Sequence, residues 1–150
     1  MNTSTPPTLK RLWVSVCLYM AIAFIAGVVA IVENLPAEFG GSSTGLTVTQ
    51  DFIYGMGTAL SPPLYTLIIQ TAFLLLIRRS DQWGTVGVLG LTAVGLMTCI
   101  GALSEPINLR ILNPATFDPV KVVIMTSMIL MSVVIVALGV KEWLRRRRGA

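Results

Sequence analysis

Three carboxylates, Glu33, Asp51 and Glu105, stand where long apolar runs give way to polar segments. A carboxylic acid partly shielded from water, with other acids nearby, titrates above its usual range. Such a group can serve as a general acid near neutral pH. Two tyrosines, Tyr54 and Tyr65, follow Asp51, and Tyr19 lies inside the first apolar run. Aromatic faces of this kind can stabilise a carbocation. The chemistry open to these residues needs no metal and no cofactor. It is proton transfer: isomerisation, or protonation of an olefin or epoxide to start a cyclisation. Arg110, five residues after Glu105, and Lys121 are the nearest candidate partners for the acids. If Arg110 pairs with Glu105, that acid is a clamp on its loop. If Arg110 goes elsewhere, Glu105 is the best single candidate for the acid.

Other chemistries are harder to build from this chain. It has no histidine, the commonest metal ligand and the commonest general base near neutral pH. Cys17 and Cys99 each stand alone in an apolar run and read as small buried hydrophobes. No CxxC pair exists for zinc or dithiol chemistry. The Arg145–Arg148 run borders an apolar segment, so it reads as a topology anchor on anionic lipid and not as a nucleic-acid site.

The elements that must hold these residues are membrane spans. Of 150 residues, 54% are hydrophobic and 12% charged, against about 25% charged in ordinary soluble domains. Mean hydropathy is +0.78. Apolar runs of roughly 20 residues match a hydrocarbon core of about 30 Å. The reading is one all-α domain, a four-span helix bundle with spans near 12–32, 52–77, 83–104 and 119–140. Residues 1–9 form a disordered tail and 141–150 a basic tail. The first run is too long for a signal-peptide core, although Ala21-Ile22-Ala23 resembles a cleavage site.

The second span carries Ser61-Pro62-Pro63. The favoured reading is one helix from about Asp51, kinked at the prolines. The other is a break, with 52–60 a separate interfacial piece and Ser61 capping a helix that starts at Pro62. GGSSTG (40–45) is flexible by composition, and the alternation in LTVTQ (46–50) suits a short extended piece. Pro106 should end the third helix at Glu105. Asp118 should cap the fourth, with Pro119 at its first position.

Charge gives the orientation. Lys10, Arg11, Arg78, Arg79, Lys141 and Arg145–Arg148 fall at one set of ends, and only Arg110 and Lys121 at the other. With Asp81 and Glu142 inside and the other five acids outside, the balance is about +7 against about −3. Both termini are expected in the cytoplasm of a multi-pass cell-membrane protein. Trp13, Trp83 and Trp143 fall at the same cytoplasmic interface.

Helical phase then groups the side chains. Ser15, Tyr19, Ala23, Ala26, Ala30 and Glu33 share a stripe on span one. Gly84, Gly87, Gly95, Thr98 and Ala102 share one on span three, which Glu105 would extend. Small residues let helices approach closely in lipid, so these stripes should face the bundle interior. Asp51, Tyr54, Thr58, Pro62, Tyr65 and Thr66 align if span two is one helix. Met125 and Met128 share a face of span four and would adapt to an irregular neighbour. Gln70 reads as an interhelical hydrogen bond.

Together these predict a cavity in the outer half, rimmed by Glu33, Asp51 and Glu105. Tyr19, Tyr54, Tyr65, Met125, Met128 and Arg110 would contact its contents. The leading functional reading is a small polytopic membrane protein that binds a hydrophobic small molecule or a partner helix there. The alternative is a cofactor-independent isomerase or cyclase with Glu33 or Glu105 as general acid. It resembles integral-membrane sterol isomerases and terpene cyclases in kind of residue only, without a shared motif. A small transporter subunit is a further alternative, weakened because no span carries a central charge. Expected partners are the bilayer, a lipid-soluble small molecule or a membrane protein, and no nucleic acid.

Overall fold

A computed structural model of the chain describes residues 6–39, 42–106, 110–115 and 117–148. Among the described residues five helices carry the structure: α1 Pro7–Val32, α2 Val48–Tyr54, α3 Leu64–Leu76, α4 Gln82–Ser104 and α5 Pro119–Arg148. Glu38–Phe39 and Ser42–Ser43 form a two-residue antiparallel pair between α1 and α2. α1, α4 and α5 are each long and apolar enough to cross a membrane. Their outward surfaces carry Leu18, Phe24, Ile25, Leu96, Ile100, Val123 and Leu130, all exposed. A surface this apolar suits a lipid solvent.

Several boundaries differ from the sequence reading. α1 begins at Pro7, not near residue 12, and Leu9 is already buried, so 7–9 belong to the helix. Pro7 suits a first helical position because its missing N–H would be unpaired there in any case. Residues 1–5 of the expected tail and Gly40–Gly41 of the flexible segment lie outside the described residues. α5 continues to Arg148, so most of the basic tail is helical. LTVTQ is not extended. Thr47 and Gln50 form a capping box that starts α2, each side chain accepting from the other's backbone N–H.

The second span is broken, not kinked. α2 ends at Tyr54, and α3 begins only at Leu64, after Pro63. At 13 residues, α3 is about 20 Å long, short of a hydrocarbon core. The backbone between the two helices finds its partners within the protein. Thr58 and Ser61 exchange backbone bonds at 2.8 and 3.3 Å, and the Ser61 N–H also reaches the Thr58 hydroxyl at 3.1 Å. Ser61 does not cap α3; its hydroxyl donates to the Ala23 carbonyl of α1 at 2.7 Å. The Ala59 N–H reaches the Leu35 carbonyl. Gly57 takes φ +101°, and a Cβ there would sit 2.5 Å from the Ser61 carbonyl oxygen.

The helices pack in the order α1, α5, α4, α3, with few contacts between α1 and α3. The small stripe of α1 is fully packed: Tyr19, Ala23, Ala26 and Ala30 are each 0% exposed. On α4, Gly84, Gly87 and Gly95 are buried. Gly87 and Gly90 lie against Phe73, and Gly95 against Ile135 and Val136.

One end of the bundle is locked by arginine. Glu142 is 0% exposed and accepts from Arg145 at 2.6 and 2.8 Å and from Arg146 at 3.0 Å. Arg146 also donates to the Ile77 and Arg79 carbonyls, at 2.8 and 3.2 Å. It therefore caps the end of α3 from α5, a structural role beyond anchoring to lipid. Arg78 stacks on Trp13 and Arg147 on Trp143.

Glycine substitutions should separate packed positions from open ones. A Cβ on Gly84 would fall on the Arg79 carbonyl oxygen, while nothing lies within 4 Å of one on Gly101. Gly84→Ala should cost about 1–3 kcal/mol. Gly101→Ala should be neutral or stabilising by up to about 1 kcal/mol. Unfolding midpoints in mixed micelles would check the order, and equal losses would contradict the packing.

Candidate functional site: a cavity at the broken helix

The break between α2 and α3 leaves a cavity beside the N-terminal half of α3 and the C-terminal half of α4. Inward, Phe73, Leu76 and Ile77 of α3 lie tight against Gly87 and Gly90 of α4. Outward, a cavity of about 230 Å³ separates them. For scale, about 150 Å³ accommodates benzene in an engineered core. One wall is the 56–63 segment; the others come from Tyr19 of α1, Tyr65 and Thr66 of α3, Met97, Thr98, Gly101 and Ala102 of α4, and Met125 and Met128 of α5. Tyr65 is 44% exposed and Met97 70% exposed, so the cavity opens sideways between α3 and α4, onto the apolar outer surface.

Of the acids expected at the rim, only Glu105 lines this cavity. It follows the last residue of α4 with extended backbone, φ −73° and ψ 122°, as Pro106 requires. The residue is 9% exposed and accepts the Glu38 N–H at 3.3 Å. Arg110 goes to Glu38, with contacts of 2.9 and 3.0 Å. Burial pushes Glu105 above the ordinary value of 4.5; the Glu38 N–H opposes this and the Glu38 charge adds to it.

The other two acids are used elsewhere. Glu33 lies outside the cavity in an ion pair with Lys121 at 2.5 Å. Lys121 also holds Asp118 at 2.9 Å, and their side-chain hydrogen bond keeps Asp118 below its usual range. Asp118 caps α5 as expected, accepting from the Val120 and Lys121 N–H groups. Asp51 is 0% exposed, yet it organises the outer loop. It accepts from the Thr44 hydroxyl at 2.5 Å and from the Met56 N–H at 3.4 Å. Tyr54 is 59% exposed and does not reach the cavity. Its alignment with Tyr65 depended on a continuous helix, which the break removes.

The floor of the cavity is polar in one place. Tyr19 is 0% exposed, and its hydroxyl has no hydrogen-bond partner. It lies beside Thr98 and Ser132, which pair with each other at 3.2 Å. Leaving a buried hydroxyl unpaired costs about 1–3 kcal/mol. The Gln70 side chain is likewise buried without a partner, so the interhelical bond expected of it is not formed among the described residues. No cluster of His, Cys, Asp and Glu able to hold a metal occurs among them either.

Sequence reasoning missed Ser61, Met97 and Gly101 as lining residues and reached Thr58 only through a continuous helix that does not form. Thr58 and Ser61 enter because the break turns them inward. Met97 and Gly101 lie off the small stripe of α4 and face the gap left by α3.

A pH series tests the environment of Glu105. Its raised folded-state value means that the folded protein binds its proton more tightly than the unfolded chain. Stability from this group is full below 4.5 and is lost as pH rises through the folded value. Asp118 contributes oppositely, losing stability as pH falls below 3.8. The wild type should therefore lose stability relative to Glu105→Gln as pH rises above 4.5. Parallel curves of unfolding midpoint against pH would rule this out.

Comparison with protein-family models, curated proteins and solved structures finds no match for this chain, so its function rests on the geometry of the cavity.

Proposed function

We propose that this chain is a four-span protein of the cell membrane, with both termini cytoplasmic, that binds a hydrophobic small molecule in its outer half. The observation that carries the binding reading is the cavity itself. It is mostly apolar, opens onto the apolar surface, and holds one acid and one unpaired phenol. Ligand sites typically pair apolar walls with a few convergent polar groups.

The topology draws support from the two ends of the bundle. Arg78, Arg79 and Arg145–Arg148 gather with Trp13 and Trp143 at one end. Glu33, Glu38, Glu105 and Asp118 gather at the other with only Arg110 and Lys121. On this reading α3 and the 57–63 segment, buried except at the half-buried Pro62, cross together, the irregular backbone being tolerated because protein covers it.

The catalytic reading, a metal-free isomerase or cyclase, draws support from Glu105 alone. It is the one carboxylate lining the cavity, and its raised value suits a general acid. Glu33 is neutralised by Lys121 and is set aside as the acid.

Two measurements test these readings. Single cysteines at Ser80 and Asn113, in a chain with Cys17 and Cys99 replaced, should differ in labelling by a membrane-impermeant maleimide. Asn113→Cys should react in intact cells and Ser80→Cys only after lysis; the reverse pattern would overturn the orientation. Native mass spectrometry should find a co-purifying hydrophobic molecule on the wild type and not on Gly101→Leu, whose side chain would fill open cavity space. Equal occupancy in both would exclude the cavity as the site. Glu105→Gln should keep the molecule bound, and loss of turnover with binding intact would mark the enzyme.

A further inference from the structure

Three hydroxyls from three helices meet at the cavity floor: Tyr19 of α1, Thr98 of α4 and Ser132 of α5. Two of them have their protons committed. The Thr98 hydroxyl donates to the Gly95 carbonyl at 3.1 Å, which leaves Ser132 to donate to Thr98 across 3.2 Å. The Tyr19 hydroxyl is buried without a partner. A phenol is a donor as well as an acceptor, so Tyr19 presents a spare donor.

The surrounding wall offers it little. Met97, Met128 and Leu60 are apolar, and the Ser61 hydroxyl is committed to Ala23. An occupant that carries an acceptor would satisfy the Tyr19 hydroxyl. No Lys or Arg lines the cavity, and its one charged residue is Glu105. An anionic headgroup would meet a like charge without a counter-ion. The volume of about 230 Å³ limits the body to a short apolar chain or a small ring system.

We propose that the cavity selects a neutral, largely apolar molecule whose single carbonyl, ether or epoxide oxygen accepts a hydrogen bond from Tyr19. The apolar body lies toward Tyr65 and Met97, where the cavity opens to lipid. This rests on the cavity being a binding site, and it adds the chemistry that the site reads.

The test uses the full chain in nanodiscs and a ten-carbon aliphatic ketone carrying a diazirine. After photolysis, mass spectrometry should place the label on Met97, Thr98 or Met125. Competition by 2-decanone and by n-undecane, counted per lipid, isolates the oxygen, because the two have the same number of heavy atoms. One net hydrogen bond corresponds to roughly tenfold, so 2-decanone should compete about tenfold better in the wild type. Tyr19→Phe should abolish that difference while leaving labelling in place. Equal competition in the wild type would overturn the proposal and leave the cavity reading standing; it is the result expected if a water satisfies Tyr19. A preference that survives Tyr19→Phe would overturn Tyr19 as the donor. Labelling that is absent from the cavity, or unchanged by Gly101→Leu, would overturn the binding reading and this proposal with it.

Discussion

Backbone N–H and C=O groups at membrane depth must be paired within the protein, because lipid offers them nothing. On the four-span reading, the rest of this structure depends on how that constraint is met at Ser61-Pro62-Pro63. Two consecutive prolines remove two donors and bar the residues before them from helical geometry. The chain leaves the helix at Tyr54, where Gly55 and the positive-φ Gly57 follow, and the prolines delay its re-entry until Leu64. Between these points Thr58 and Ser61 satisfy each other, and Ser61 ties the segment to the Ala23 carbonyl. That bond fastens the broken element to α1, whose small stripe lets the segment come close.

The cavity follows from the same break. α3 packs closely on α4 at two glycines, where Gly87 and Gly90 receive Phe73. Arg146 holds that end together from α5 by capping the carbonyls at the close of α3. Further out, the irregular segment replaces a helical wall, and side chains of four elements surround the space it leaves. Glu105 is drawn in from above because the outer loop supplies the Glu38 N–H, while Arg110 is held by the Glu38 carboxylate. A single backbone residue, Glu38, thus divides the two charges that the sequence places five residues apart.

Much of this was legible in the sequence, and the failures share a cause. Helix existence, the packed stripe of α1, the Asp118 cap and the stop at Pro106 all follow from local periodicity and local caps. Glu105, Tyr19, Tyr65, Met125 and Met128 were singled out from residue type and helical phase, and all five line the cavity. Tyr54 and Asp51 were placed by the phase of a helix that does not exist, so they land elsewhere. Glu33 lies past the end of α1, exposed, and pairs with Lys121, one of the two basic residues expected to partner the acids. The reach of Arg146 to Ile77 and Arg79 is a contact between distant segments that phase cannot reveal. Its pairing with Glu142, four residues away on one helix, was readable from spacing.

The central claim is that the break leaves an apolar space between the outer halves of α3 and α4, open to lipid. A spin label on Gly101→Cys, in a chain with Cys17 and Cys99 replaced by alanine, reports on it directly. The account predicts high collision rates with oxygen and low rates with a water-soluble nickel chelate, close to those of a label at exposed Ile100. A label at 101 as immobile and as shielded from oxygen as one at fully buried Val88 would contradict it.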